Sequence, residues 1–231
     1  MMNHLVKKTA KHEDTTMSEK TTLQDLIRNA NTDVDALAAL SDADCEPESI
    51  VKALEEAGWH DARILKALEE DEWGDYRIVE ALDAVGWSDD DIVKTLSAAG
   101  WDDTRIAKSL TAADWDDDRA VKALTDAGWN DNRIVAATDA AGWGTSIIVR
   151  ALALAGRDDA RIIGSLAAVA WADRRFVWAM EGAGWDDART VKTLSAAGWT
   201  DDRITAAMSA ARWHDARIAA AMAAAKGEDN E

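Results

Sequence analysis

Tryptophan, aspartate and arginine recur along this chain at fixed spacing, and these residue types could stack on ligands or bind charged groups. Twelve of the 231 residues are Trp, beside one Phe and one Tyr. Tryptophan rings can hold nucleic-acid bases, pigments or quaternary amines. Stacking on bases requires aromatics interleaved with a basic groove, whereas most tryptophans here are followed by acidic residues. We therefore assign the recurring tryptophans to packing between helices.

The tryptophans define a repeat of fourteen residues, which we number from its Trp as position 1. Position 3 is Asp in eleven of the twelve repeats that begin at residue 59, and position 5 is Arg in ten. Arg157 replaces Trp in one repeat, and Trp178 alone lies outside the register. The tryptophans in register are Trp59, Trp73, Trp87, Trp101, Trp115, Trp129, Trp143, Trp171, Trp185, Trp199 and Trp213.

Each repeat predicts one short helix followed by a Gly-Trp turn. Apolar residues at positions 6, 10 and 13 have the helical spacing, and position 2 often holds an N-cap residue such as Ser88 or Asp102. Position 14 is commonly glycine, which suits the left-handed residue that ends a helix. A helix of roughly 16 Å is marginal alone and must stack on others. The sequence thus predicts an all-α solenoid or superhelix of fifteen repeats.

Two other arrangements are compatible with a fourteen-residue spacing, a continuous coiled coil and a two-helix repeat. Fourteen residues are two heptads, but Gly, Trp and Asp at every turn interrupt a continuous coiled coil. A two-helix period of twenty-eight residues is disfavoured because the segment 93–101 recurs identically at 191–199, seven repeats later. This odd offset indicates that odd and even helices are interchangeable.

The repeat also predicts the domain organisation. We expect a disordered arm over residues 1–16, a single array over 17–226 and an acidic tail over 227–231. Within the array, the repeats of 17–44 are degenerate and are expected to cap it.

Composition excludes several classes of function. The formal net charge of −18 argues against direct nucleic-acid binding and against anionic membrane surfaces. The one cysteine, Cys45, excludes an internal disulfide and a cysteine-based zinc site. No membrane span, export signal, nucleotide-binding loop or hydrolase motif is present, so we expect a cytoplasmic protein without cofactor, metal site or enzymatic activity.

The recurring charged residues have a structural interpretation. Asp at position 3 would begin a helix, where the dipole favours negative charge, and Arg at position 5 would reach a carboxylate of a neighbouring repeat. The buried indole N–H groups need acceptors, for which we expect carbonyls at the end of the preceding helix.

The repeat breaks between residues 143 and 184. Positions 5, 8 and 12 share one helix face, which is usually charged or small. Here Ile147, Leu154 and Trp178 occupy that face, Gly164 takes position 8, and Phe176 and Arg157 are also unusual. An apolar patch on an outer face typically marks an interaction site. The alternative is drift, or a change of curvature that buries these side chains.

These observations favour a non-enzymatic helical-repeat scaffold that binds a protein partner or copies of itself, including assembly into rings or filaments. An acidic mimic of nucleic acid, which blocks a DNA-binding protein, is the alternative. The Gly-aromatic turn resembles that of ubiquitin-associated and CUE-type modules and of armadillo or HEAT solenoids. The fourteen-residue length fits none of these families, so none is assigned.

Overall fold

The computed structural model describes residues 23–227, and every regular element in this part of the chain is an α-helix. The predicted helical-repeat solenoid is confirmed, with one helix in each repeat. The arm predicted over 1–16 lies outside the described residues, as do 17–22 and 228–231. The helices are α1 (23–29), α2 (Asp33–Asp42), α3 (Pro47–Glu56), α4 (Asp61–Glu70), α5 (Asp75–Val85), α6 (Asp89–Ala98), α7 (Asp103–Ala112), α8 (Asp117–Asp126), α9 (Asp131–Ala140), α10 (Thr145–Leu154), α11 (Asp159–Ala168), α12 (Asp173–Gly182), α13 (Asp187–Ala196), α14 (Asp201–Ala210) and α15 (Asp215–Gly227).

Helix starts follow the predicted capping pattern. The residue at position 2 has an extended backbone, and its side chain commonly accepts a hydrogen bond from the backbone N–H at position 5. In α7 the Asp102 carboxylate accepts from Arg105 N at 2.7 Å. A histidine does the same in α4, where His60 Nδ1 accepts from Arg63 N at 3.3 Å. These bonds satisfy backbone donors that the first turn of a helix leaves unpaired.

Helix ends form Schellman motifs, as the Gly-Trp pairs predict. At the end of α6, Gly100 has φ +89°, its N–H donates to Ser97 O at 3.1 Å, and Trp101 N donates to Leu96 O at 3.2 Å. The same turn forms without glycine at Asp114, where φ is +57° and the N–H groups of Asp114 and Trp115 donate to Thr111 O and Leu110 O, each at 3.2 Å. Ala170 also has a positive φ, +55°. The turn therefore belongs to the repeat itself, and glycine makes it easier to adopt.

Substituting the turn residues tests this geometry. A Cβ on Gly100 would meet nothing within 4 Å, so Gly100→Ala should destabilise by about 1–2 kcal/mol through backbone strain alone. The reverse change, Ala170→Gly, should be neutral or stabilising because it relieves that strain. Chemical unfolding measures both, and a stabilising Gly100→Ala would contradict the left-handed assignment.

The helices stack on second neighbours. The described residues divide into two compact blocks, one that ends at Trp101 and one that begins at Asp102. Within each block, a helix packs more extensively on the helix two places further along than on the next one. Contacts between stacked helices thus span twenty-eight residues, but odd and even helices make the same contacts, so the structural period remains fourteen. This agrees with the prediction that odd and even helices are interchangeable, although stacking on second neighbours was not predicted.

The core lies on one face of each helix. Positions 6, 7 and 10 are buried, as for Ile106, Ala107 and Leu110 in α7. Position 13 shares the helical spacing of positions 6 and 10, but in most repeats it is half-buried or exposed, as at Ala99. Position 13 is the C-cap, where the chain already turns away from the helix axis.

Candidate interaction surface

Most of the recurring arginines join their own turn to the helix two repeats earlier. The guanidinium of Arg133 lies 3.7 Å from the ring centroid of Trp129, four residues before it. The same group donates to both oxygens of Asp103, with Nε at 2.8 Å and Nη2 at 2.7 Å. One side chain therefore stacks on an indole and forms a bidentate ion pair. Position 5 thereby holds helices α7 and α9 together at their N-terminal ends.

This arrangement forms a ladder, as the sequence predicts, and its rungs skip one repeat. A donor and its acceptor are thirty residues apart, which is two repeats plus the two-residue offset between positions 5 and 3. Where position 3 is Thr145 rather than Asp, the arginine two repeats later, Arg175, pairs with Asp139 instead. The pairs of the regular ladder include Arg63–Asp33, Arg133–Asp103, Arg161–Asp131, Arg189–Asp159, Arg203–Asp173 and Arg217–Asp187.

Several indole N–H groups bond to side chains, so the prediction of backbone carbonyls was wrong for them, whereas the buried Nε1 of Trp115 has no partner among the described residues. Trp101 Nε1 donates to Glu69 at 2.6 Å, Trp143 Nε1 to Thr111 at 2.9 Å, and Trp171 Nε1 to Asp139 at 3.0 Å. These acceptors all occupy position 11, because the Schellman motif already uses the last carbonyls of each helix. Sequence reasoning missed position 11, although its repeated Glu, Asp, Ser and Thr would have indicated it.

The ion-pair ladder makes the free energy of unfolding depend on pH. Hydrogen bonds from Arg189 and Arg203 hold the pKa of Asp159 and of Asp173 below the usual aspartate value. A carboxylate with a lowered folded-state pKa contributes stability that is present above the unfolded pKa of about 4. We expect that contribution to disappear as the pH falls through the lower folded-state value.

Chemical unfolding between pH 7 and pH 2 measures this loss of stability. The variant Arg203→Met removes the partner of Asp173, so its unfolding free energy should fall less steeply in acid than that of the wild type. Identical slopes for the two proteins would show that this pair carries no pH dependence.

Arg157 is buried in the place of a tryptophan. Its side chain is 9% exposed, and Nε donates at 3.0 Å to Asp131, which is 6% exposed. Nη2 donates to Thr125 at 2.8 Å, the position 11 bond that an indole would make. Arg161 binds the same Asp131. Arg157 is therefore a core residue that takes the place of the missing indole.

Phe176 is likewise part of the core. It is 2% exposed, and its ring packs edge-on against Trp171 and Trp199, with centroids 6.1 Å and 5.2 Å away. Phe176 stands at position 6, where isoleucine is usual, so the break in the repeat changes the core as well as the surface.

Trp178 and Leu154 lie on the surface, and Ile147 is half-buried. Leu154 is 62% exposed and Trp178 is 42% exposed; among the described residues only Tyr76, in the other block, is a comparably exposed large hydrophobic. Helices α10 and α12 are stacking partners and approach closely, since a Cβ on Gly182 would lie 2.7 Å from that of Ser146. We call Ile147, Leu154 and Trp178 the α10–α12 surface.

Trp178 makes contacts with a backbone group and a side chain of its own chain. Its Nε1 donates to Ala211 O at 3.2 Å, and Arg174 lies 5.4 Å from the ring centroid. Gly164 is exposed with open space around it, but it lies on α11, which belongs to the alternate stack. Leu154 also borders an open groove of about 760 Å³, lined in part by Arg119 and Lys122 of α8.

The described residues show neither the geometry of a metal site nor a helix that could span a membrane. No cluster of His, Cys, Asp and Glu in 23–227 has the geometry of a metal site. None of the helices in that range is both long and apolar enough to cross a bilayer. The chain matches no protein-family model and no curated protein sequence.

Proposed function

We propose that this protein is a non-enzymatic helical-repeat scaffold that acts in the cytoplasm by protein–protein association through the α10–α12 surface. The observation that carries the proposal is the exposure of Trp178 and Leu154 on two helices that stack directly. Tryptophan is enriched at the energetic centres of interfaces, and clustered exposed apolar side chains typically mark binding surfaces.

The recurring residues support this assignment because they are engaged within the array. The guanidinium of Arg133 stacks on an indole and binds a carboxylate, as its equivalents do, and indoles such as that of Trp101 donate their N–H to a side chain at position 11. Repeated residues that partner one another need no ligand to explain them.

The same pairing weakens the case for an acidic nucleic-acid mimic. Such a mimic needs regularly spaced, unneutralised carboxylates. The most regular carboxylates of this chain, those at position 3, are repeatedly paired with arginine, as in Asp103, Asp159 and Asp173.

Site-specific photo-crosslinking in living cells tests the proposed function. A photoreactive phenylalanine replaces Trp178 in one variant and Leu154 in a second. A third carries it at Ala136, an exposed residue at position 8 of α9, as a matched control. We expect crosslinked protein complexes from positions 178 and 154 and none from 136. Absence of adducts at 178 and 154, or equal adducts at all three positions, would overturn the proposal.

A further inference from the structure

The α10–α12 surface lies in the C-terminal part of the array, which lacks the acidic excess of the rest. Residues 143–226 contain eleven basic residues and nine carboxylates, for a net charge of +2, whereas the whole chain carries −18. Residues 143–184 contribute +1 of this charge, and the residues outside 143–226 carry −20. Helix α10 has no carboxylate, unlike each of the other helices from α2 to α15.

This charge distribution restricts what can cover the surface. A strongly acidic partner would be repelled by the rest of the array, and a basic partner would be drawn to the carboxylate-rich helices instead. A partner that suits residues 143–184 presents a near-neutral surface with apolar anchors. The chain itself has such a surface, namely this one.

From the charge and the exposed anchors, we propose that a second copy of this chain covers the α10–α12 surface and forms a twofold-symmetric dimer. The inference rests on the proposed function and names the partner. In an isologous interface each copy contributes the same patch, so Trp178 and Leu154 enter the contact twice. Two bodies of charge −18 meet with least repulsion where both are near neutral, which keeps their acidic helices apart.

The mass of the purified full chain tests this proposal. Light scattering after size exclusion, from micromolar to millimolar protein, should show a rise from 25.0 kDa towards twice that mass. The salt dependence gives a second sign. Because screening acts over about 10 Å at 0.1 M salt, added salt should weaken the repulsion between the acidic bodies and strengthen the dimer.

Three matched substitutions locate the interface. Trp178→Lys and Leu154→Lys place a charge in the proposed contact and should each shift the dimer midpoint at least tenfold towards higher concentration. Tyr76→Lys makes the same kind of change at the exposed hydrophobic residue of the other block and should leave the midpoint unchanged. Far-ultraviolet circular dichroism checks that each variant is folded. Unlike Trp178→Lys, which removes the bond to Ala211 O, Leu154→Lys removes no hydrogen bond. The Leu154 variant therefore still tests the interface if Trp178→Lys unfolds.

Several outcomes would overturn the inference. These are a mass of 25.0 kDa under all conditions, a dimer that dissociates with added salt, and a dimer unaffected by Leu154→Lys. Its failure is distinguishable from failure of the proposed function. If the chain is monomeric but position 178 still crosslinks to another protein, only the dimer is overturned. If the chain is monomeric and position 178 crosslinks to nothing, both the dimer and the proposed function are overturned.

Discussion

Trp171→Ala should destabilise the array by about 3–5 kcal/mol, the usual effect of truncating a buried tryptophan. Its indole is 6% exposed, packs on Phe176, lies under the guanidinium of Arg175 at 3.9 Å and bonds to Asp139 at 3.0 Å. Truncation removes all of these contacts and leaves a cavity. Urea unfolding gives the free energy, and hydrogen exchange should place the loss in repeats up to two places away, since each helix packs mainly on its first and second neighbours.

The variant Trp171→Phe is the matched control. It keeps most of the apolar volume and removes the bond to Asp139, whose carboxylate still has Arg175. We expect a loss of about 1 kcal/mol from the missing hydrogen bond, plus a smaller term for the reduced ring. If Trp171→Ala were no worse than Trp171→Phe, the indole would not be the packing element described here.

Asp131→Ala should lower the free energy of unfolding by a similar amount, because it removes the partner of a buried arginine. The substitution leaves Arg157 buried without its carboxylate, and breaking a buried ion pair on one side typically costs about 3–5 kcal/mol. Asp103→Ala removes the same ladder position where the pair is exposed, with Asp103 at 41% and Arg133 at 40%. Solvent screening limits that loss to about 1 kcal/mol.

A rescue experiment separates burial from helix capping. Asp131 and Asp103 both begin a helix, so the dipole contribution is common to the two variants. Adding Arg157→Trp to Asp131→Ala restores the usual residue of position 1 and removes the unpaired buried cation. Thermal unfolding should recover in the double variant. Equal losses for the two single aspartate variants would show that Arg157 does not depend on Asp131.

Sequence spacing was enough to predict the helix in every repeat, its cap and its Schellman turn. These features are local, and each depends on residues close together in the sequence, such as Gly100, Trp101 and Asp102. Stacking on second neighbours was not predicted, because identical segments in odd and even repeats carry no signal for which helix lies beside which. That choice is made by contacts thirty residues apart, of which Arg133–Asp103 is one.

The candidate site was only partly predictable. The burial of Phe176 could have been predicted from its position 6, which is a core position throughout the array. Arg157 was misleading because an arginine is rarely buried, and its burial depends on Asp131, Thr125 and the space of a missing indole. The placement of Trp178 and Leu154 on the exposed face does agree with the charged residues common at position 8 and the small residues common at position 12.

The central claim is that the residues which hold the array together differ from those through which it associates, and two tryptophans of one repeat test it. Chemical unfolding of Trp178→Lys beside Trp171→Ala compares an exposed indole with a buried one seven residues away. We predict that Trp178→Lys lowers the unfolding free energy by no more than about 1 kcal/mol, the scale of a surface change with one lost hydrogen bond. A loss of about 3–5 kcal/mol, equal to that of a core tryptophan, would make Trp178 part of the core and contradict the account.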